Sequence, residues 1–219
     1  MDSDASIRFF DTQFQRQVLE SDLKLNPFEE QALPYLRGHV LDYGCGLGNL
    51  AIAAARRGCH VVALDGSHTA IEHLRRVAQA ESLPIEAAVA DLRTYAVRES
   101  YDAIVSIGLL MFFDCATAFA QLRNLRSRVR PGGVAIVNVL VDGTTYLDMF
   151  DPSGHCLFAR DELPRRFAGW EILSCEYQDF PAPNQKLKSF VTVVARNPEG
   201  SKSSSGDPPD SSMTGDHSG

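Results

Sequence analysis

The stretch Leu41-Asp42-Tyr43-Gly44-Cys45-Gly46-Leu47-Gly48-Asn49 limits what this chain can fold into more than any other. Val40-Leu41 is apolar and runs into an acidic residue. Glycines then stand at 44, 46 and 48, and an Ala-rich run follows from Leu50. In order, these are a strand, a tight turn and a helix. Glycine permits positive φ and lets backbone approach a ligand with no side chain between. The helix opening near Asn49 aims its unpaired N–H groups and the positive end of its dipole at the same place. A polar or anionic group is therefore expected on this turn. Dinucleotide-binding turns are spaced Gly-x-Gly-x-x-Gly. Here the spacing is Gly-x-Gly-x-Gly, with Asp42 two residues before the first glycine. A carboxylate at that point repels a pyrophosphate and attracts an ammonium group.

Downstream the chain alternates apolar and amphipathic runs. Strands are expected at about 39–43, 60–65, 85–90, 101–107 and 133–140, and helices at about 49–57, 67–81 and 114–130. Continuous Val/Ile/Leu/Ala runs suit parallel strands covered on both faces, and the alternation predicts a doubly wound α/β sheet. A short helix near 160–167 leads to two β-rich stretches, about 170–178 and 188–196, expected as a hairpin-like pair at one sheet edge. Before the sheet, Ile7, Phe10, Phe14 and Val18 recur at helical spacing, and Asn26-Pro27 opens a second helix as an N-cap followed by proline. Residues 1–36 read as a helical cap on a single domain spanning 1–197. After Asn197 the chain is Ser, Gly, Pro and Asp with scarcely an apolar side chain, so 198–219 is expected to be disordered.

The Asp-x-Gly-x-Gly-x-Gly turn resembles the glycine-rich loop of the class I S-adenosylmethionine-dependent methyltransferases, whose cofactor ends in a methionine moiety and carries no phosphate. Two further acidic residues strengthen the likeness. Asp65 ends the second strand about twenty residues on, where a carboxylate can accept from both ribose hydroxyls. Its alternative role, capping the next helix, can be filled by Ser67. Asp91-Leu92 ends the third strand, where the carboxylate can accept from the adenine amine and the following N–H can donate to a ring nitrogen. A dehydrogenase has no use for Asp42 or Asp91. The resemblance thus implies S-adenosyl-L-methionine as cofactor, held by Asp42, Gly44, Cys45, Gly46, Gly48 and Asn49. Asp65, Gly66, Asp91, Leu92 and Ile107 complete its site, with Phe10 closing over it from the N-terminal segment.

More particular features are the run Tyr101–Phe113, the stretch Cys156-Leu157-Phe158-Ala159-Arg160-Asp161-Glu162-Leu163 with Phe167-Ala168-Gly169-Trp170-Glu171, and the closing Phe190-Val191-Thr192-Val193-Val194-Ala195-Arg196. Over residues 38–196 these resemble the tellurite-resistance methyltransferase family. The likeness implies a Rossmann-like sheet of seven strands, mostly parallel with one antiparallel strand near the edge, in the order 3-2-1-4-5-7-6. It also implies methyl transfer to a small molecule, a soft oxyanion of tellurium or selenium or a thiol. An O- or N-methyltransferase of a metabolite, and a protein that binds the cofactor without turnover, are the alternatives. Members carry a His-Arg pair and a further Arg between the last two strands. This chain has Tyr177-Gln178-Asp179-Phe180-Pro181-Ala182-Pro183-Asn184-Gln185-Lys186 there, with Lys186 and Lys188 as its only cations.

After the fourth strand, Ser-Ile-Gly-Leu-Leu-Met-Phe-Phe replaces the Asn/Asp-Pro-Pro-Tyr/Phe of enzymes that methylate planar amines, which argues against nucleobase and glutamine acceptors. Met111, Phe112 and Phe113 either wall the pocket or pack in the core. The loop at 142–159, with Asp142, Tyr146, Asp148, Asp151, His155 and Cys156, is expected as a substrate lid, and His155 as the candidate general base. Arg123, Arg126, Arg128 and Arg130 complement a helix C-terminus. A net charge of −7 offers no field for nucleic acid. Five cysteines without a Cys-x-x-Cys pair are expected to be reduced thiols. Met1-Asp2-Ser3-Asp4 does not resemble a signal peptide, and no apolar run reaches the roughly 20 residues needed to cross a bilayer. The expectation is a cytoplasmic monomer or homodimer with no membrane partner and no metal.

Overall fold

The computed structural model describes residues 11–14, 16–17, 24–150 and 154–199. Phe10, Asp151 and the tail from 200 onward therefore lie outside the described residues.

Seven strands form one sheet in the order β3-β2-β1-β4-β5-β7-β6. They are β1 (His39–Tyr43), β2 (His60–Asp65), β3 (Ile85–Val89), β4 (Tyr101–Ile107), β5 (Val129–Leu140), β6 (Glu171–Ala182) and β7 (Lys186–Arg196). β1 runs parallel to β2 and β4, while β7 is antiparallel to both β5 and β6. The sheet order and the single antiparallel strand are those the family likeness implies. Successive side chains point to opposite faces, so each central strand feeds two cores. Leu41, Tyr43, Ile104 and Val137 pack toward one face, and Val40, Val105, Val134 and Ile136 toward the other.

Helix α1 (Pro27–Ala32) is fixed by a capping box, with Asn26 accepting from the Phe28 and Glu29 N–H groups and Glu29 accepting from the Asn26 N–H. α2 (Asn49–Arg56) and α3 (His68–Ala80) cover one face, and α4 (Cys115–Ser127) the other. The Ser67 hydroxyl accepts from Ala70 N–H and caps α3. α5 (Glu162–Arg166) precedes the β6–β7 pair.

Two expectations about this half of the chain are corrected. The helix expected to reach residue 130 ends at Ser127, because the Arg128 carbonyl accepts from Tyr101 N–H and Val129 already pairs with β4. The cysteines are not all reduced. Cys115, at the start of α4, is disulfide-bonded to Cys156 in the loop after β5, leaving Cys45, Cys59 and Cys175 free. Of the arginines expected near the end of this helix, Arg126 lies in α4 and Arg130 in β5, and both have partners. Arg126 lies over Phe167 and Trp170, and Arg130 pairs with Asp102 at 2.9 Å.

Candidate active site

The carboxyl ends of β1–β5 open into a cleft of about 940 Å³, close to the upper end for small-molecule sites. Its strands are placed by topology: β1 and β4 are neighbours whose connections leave in opposite directions along the sheet, the point at which α/β sheets bind ligands.

One half of the cleft is acidic. The glycine turn is pinned to β2 because the Gly44 and Cys45 N–H groups both donate to the Leu64 carbonyl. Asp65 then holds its far side, accepting from Gly46 N–H and from Ser67 N–H, each at 2.9 Å. Burial raises the Asp65 carboxyl, and these hydrogen bonds oppose the rise. Asp42 is 5% exposed and its Oδ2 has no hydrogen-bond partner among the described residues. Burial, then the nearby Glu29 and Asp65, push its carboxyl up to about 8. The sign follows directly. The folded chain keeps this proton up to about pH 8 while the unfolded chain loses it near ~4. Asp42 therefore favours the fold at acidic pH, and that contribution is lost as pH rises through about 8. Glu29, reaching in from α1, is raised by burial as well. Cys45 is buried, and its thiol is held well above the ordinary range, so it is a neutral neighbour here.

Asp91 sits at the rim, where it accepts from Arg93 N–H and the Thr94 hydroxyl. Its turn is anchored below, because Tyr43 donates to the Leu92 carbonyl at 2.6 Å and Gln121 Nε2 donates to the Arg93 carbonyl at 2.7 Å.

The other half is apolar. Phe28, Met111, Phe112, Met149 and Phe190 line it and belong to a third cluster, separate from the two sheet-face cores. Phe28 lies 4.8 Å from Phe190 and 5.5 Å from Phe180, ring centroid to centroid. Antiparallel β7 pairs Phe190 with Leu140, which puts Lys188 just beyond the end of β5. Asn138, fully buried, donates to Thr192 at 2.9 Å.

Most of the residues expected from the sequence line this cleft: Asp42, Gly44, Cys45, Gly46 and Asn49 around the turn, and Asp65, Gly66, Asp91, Leu92 and Ile107 beyond it. Two do not. Gly48 faces away, where a Cβ would come within 2.6 Å of Leu74 Cδ1; its absent side chain lets α2 pack on α3. His155 stacks on Phe150 with ring centroids 4.8 Å apart and is not among the lining residues. It is thus not placed as a base, and no histidine lines the cleft among the described residues. Met111, Phe112 and Phe113 are both core and wall. Of the expected lid, Tyr146 lines the cleft while Asp148 is paired with Lys186 at 2.7 Å.

Sequence reasoning missed Glu29, Asn138 and Phe190. Glu29 had a signal, the Asn-x-x-Glu capping box, but that signal speaks of a helix start and not of a cleft. Phe14, one ring of the N-terminal stripe, lines the cleft and sits nearest the position of a Gly46 Cβ.

The donor set fits S-adenosylmethionine. A buried acidic cluster with an unpartnered oxygen suits a ligand with an ammonium group, and a neighbouring carboxylate suits a ribose. The same cluster is hostile to a pyrophosphate.

Comparison with known proteins agrees with this geometry. Residues 40–133 match the family described as a methyltransferase domain. The chain is 30% identical over 166 residues to Hemagglutinin 1 of Eikenella corrodens, covering 73% of this chain and 54% of that one. It is 29% identical over 166 residues to the probable S-adenosyl-L-methionine-dependent methyltransferase TehB of Haemophilus influenzae, covering 72% and 56%. The chain thus spans about half the length of these curated relatives. The crystal structure of TehB from Haemophilus influenzae superposes with a TM-score of 0.69 at 23% identity, over 79% of this chain and 62% of that one. A structure described as "Conversion of a Disulfide Bond into a Thioacetal Group during Echinomycin Biosynthesis" superposes with a TM-score of 0.61 at 27% identity, over 81% and 83%.

Proposed function

We propose, from the premise that this chain carries a class I S-adenosylmethionine-dependent methyltransferase domain similar to that of TehB, that it methylates a small molecule at a soft atom, a thiol sulfur or an oxyanion of selenium or tellurium. The observation that carries the cofactor half is the unpartnered, buried Asp42 Oδ2 beneath the glycine turn.

In this reading Asp42 meets the ammonium group directly or through water, with Glu29 adding to the field. Asp65 accepts from the ribose hydroxyls, and Asp91 with Leu92 meets the adenine. Gly44, Cys45, Gly46, Gly66, Asn49 and Ile107 shape the walls between them. When bound, the cofactor supplies an electrophilic methyl group on a sulfonium that is itself the leaving group. The chain's task is then positioning and exclusion of water. The apolar wall of Met111, Phe112 and Phe190 does the second. A soft nucleophile needs little help from a base, which agrees with a cleft in which His155 takes no part. The 27%-identical structure is described by chemistry at sulfur, and that supports a sulfur acceptor.

The proton on Asp42 makes the reading testable. An ammonium group beside this carboxyl favours its ionised form, so binding S-adenosylhomocysteine at pH 7 is expected to release most of one proton. Affinity should rise from pH 6 to about 8 and level off above, since the carboxyl titrates near 8. Calorimetry at pH 7 in two buffers of different ionisation enthalpy measures the release, and Asp42→Asn should abolish it. Wild-type binding with no proton exchanged, or NADH binding as tightly as S-adenosylhomocysteine, would contradict the assignment.

A further inference from the structure

We infer, building on the reading that the acidic half of the cleft takes the methyl donor, that the acceptor is an organic thiol with an apolar body and an anionic group bound by Lys188. Four cations line the cleft: Arg16 and Lys24 come from the N-terminal segment, Arg93 adjoins the rim carboxylate Asp91, and Lys188 stands beside the apolar wall, two residues from Phe190 on β7. Glu29, Asp42, Asp65 and Asp91 line the end with the glycine turn, where the three other cations already have carboxylates for company. Lys188 lines the other. Its neighbour Lys186 is neutralised by Asp148, at 2.7 and 2.9 Å. Lys188 has no ion pair among the described residues; its Nζ lies 5.7 Å from the centre of the Tyr146 ring. Lys188 as a residue is half-buried, and a cation in a partly desolvated cleft gains most from an anion that shares its surroundings.

The space between the two ends argues for a body rather than a bare ion. Phe28, Met111, Phe112, Met149 and Phe190 offer rings and thioethers and no hydrogen-bond donors to a hydrated oxyanion. Flat or aliphatic groups gain by displacing water from such a wall, and thioether and aromatic contacts suit a sulfur atom passing between them. The β6–β7 turn is tight. Asn184 and Gln185 both take positive φ, and Lys186 N–H donates to the Pro183 carbonyl, so the chain reverses within two residues.

In the transfer, the thiol first loses its proton to solvent. The thiolate electron pair then forms the new S–CH3 bond as the methyl–sulfonium bond breaks, and that bonding pair returns to the sulfonium sulfur. The products are a methyl thioether and S-adenosylhomocysteine, and no oxidant or reductant is consumed.

The test compares 4-mercaptobenzoate with its neutral methyl ester and with selenite, using the full chain and S-adenosylmethionine. The expected kcat/KM is at least tenfold higher for the carboxylate than for the ester, and higher than for selenite. Lys188→Gln should remove at least tenfold on the carboxylate, chiefly in KM. It should leave the ester within about twofold and S-adenosylhomocysteine binding unchanged. Equal rates on acid and ester, a preference for selenite, or no turnover of either thiol by a chain that binds S-adenosylhomocysteine would overturn the acceptor class. Failure to bind S-adenosylhomocysteine at all would instead overturn the donor reading on which it rests.

Discussion

Replacing Asp65 by alanine is expected to weaken S-adenosylhomocysteine binding by on the order of 30- to 1000-fold, the largest effect of any single change in the cleft. Two charge-assisted hydrogen bonds to the ribose would be lost, together about 2–4 kcal/mol. The carboxylate also accepts from Gly46 N–H and Ser67 N–H, so the variant loosens the turn as well. The two effects separate by measurement. Thermal unfolding without ligand reports the turn, and calorimetric affinity below the unfolding range reports turn and ribose together. Asp65→Asn, which keeps the volume and one acceptor oxygen, should fall between wild type and alanine in affinity. If Asp65→Ala changes affinity less than threefold, the ribose assignment fails whatever happens to stability.

Gly46→Ala is expected to weaken the same binding tenfold or more, and the three glycines explain why this one is diagnostic. A Cβ on Gly44 would lie 2.8 Å from Leu109 Cδ2, and one on Gly48 2.6 Å from Leu74 Cδ1. Those two are demanded by packing, and alanine there should chiefly lower stability. At Gly46 the nearest atoms are on the Phe14 ring, at 3.3 and 3.4 Å, across the cleft-lining surface. Its φ of +52° adds a backbone penalty of about 1–2 kcal/mol for alanine. The expected pattern is a modest fall in the unfolding midpoint of the ligand-free chain with a disproportionate loss of affinity. Normal binding by a less stable Gly46→Ala chain would return the whole turn to a packing role.

What the sequence disclosed of this cleft follows from where its signals are local. Asp42, Asp65 and Asp91 were legible because each stands at or just past the carboxyl end of a strand, and parallel strands put those ends on one edge of the sheet. The sheet order came from the family likeness, since no local pattern says that β7 slips between β5 and β6. Residues brought in from distant elements left no such trace. Glu29 arrives on α1 and Phe190 on the last strand, and neither position differs in sequence from an ordinary cap or core residue. The Cys115–Cys156 bond spans 41 residues, and no spacing rule points to it. His155 looked available because it was the histidine of the expected lid, yet the ring packs on Phe150 instead. Adjacency in sequence fixes neither rotamer nor direction. The glycine pattern was read as one ligand-facing unit, whereas a Cβ at Gly46 would meet the cleft-lining Phe14 ring, one at Gly44 would strike Leu109 after β4, and Gly48 lets α2 pack on Leu74 of α3.

The most direct test of the methyltransferase reading is turnover itself. Purified full chain is incubated with S-adenosylmethionine and, separately, with selenite, tellurite, aromatic and aliphatic thiols, and phenols, and S-adenosylhomocysteine is quantified. The reading predicts acceptor-dependent formation of S-adenosylhomocysteine with at least one soft acceptor, matched mole for mole by methylated product and lost in Asp65→Ala. A chain that binds S-adenosylhomocysteine tightly yet forms none above the acceptor-free control with any soft acceptor would contradict it.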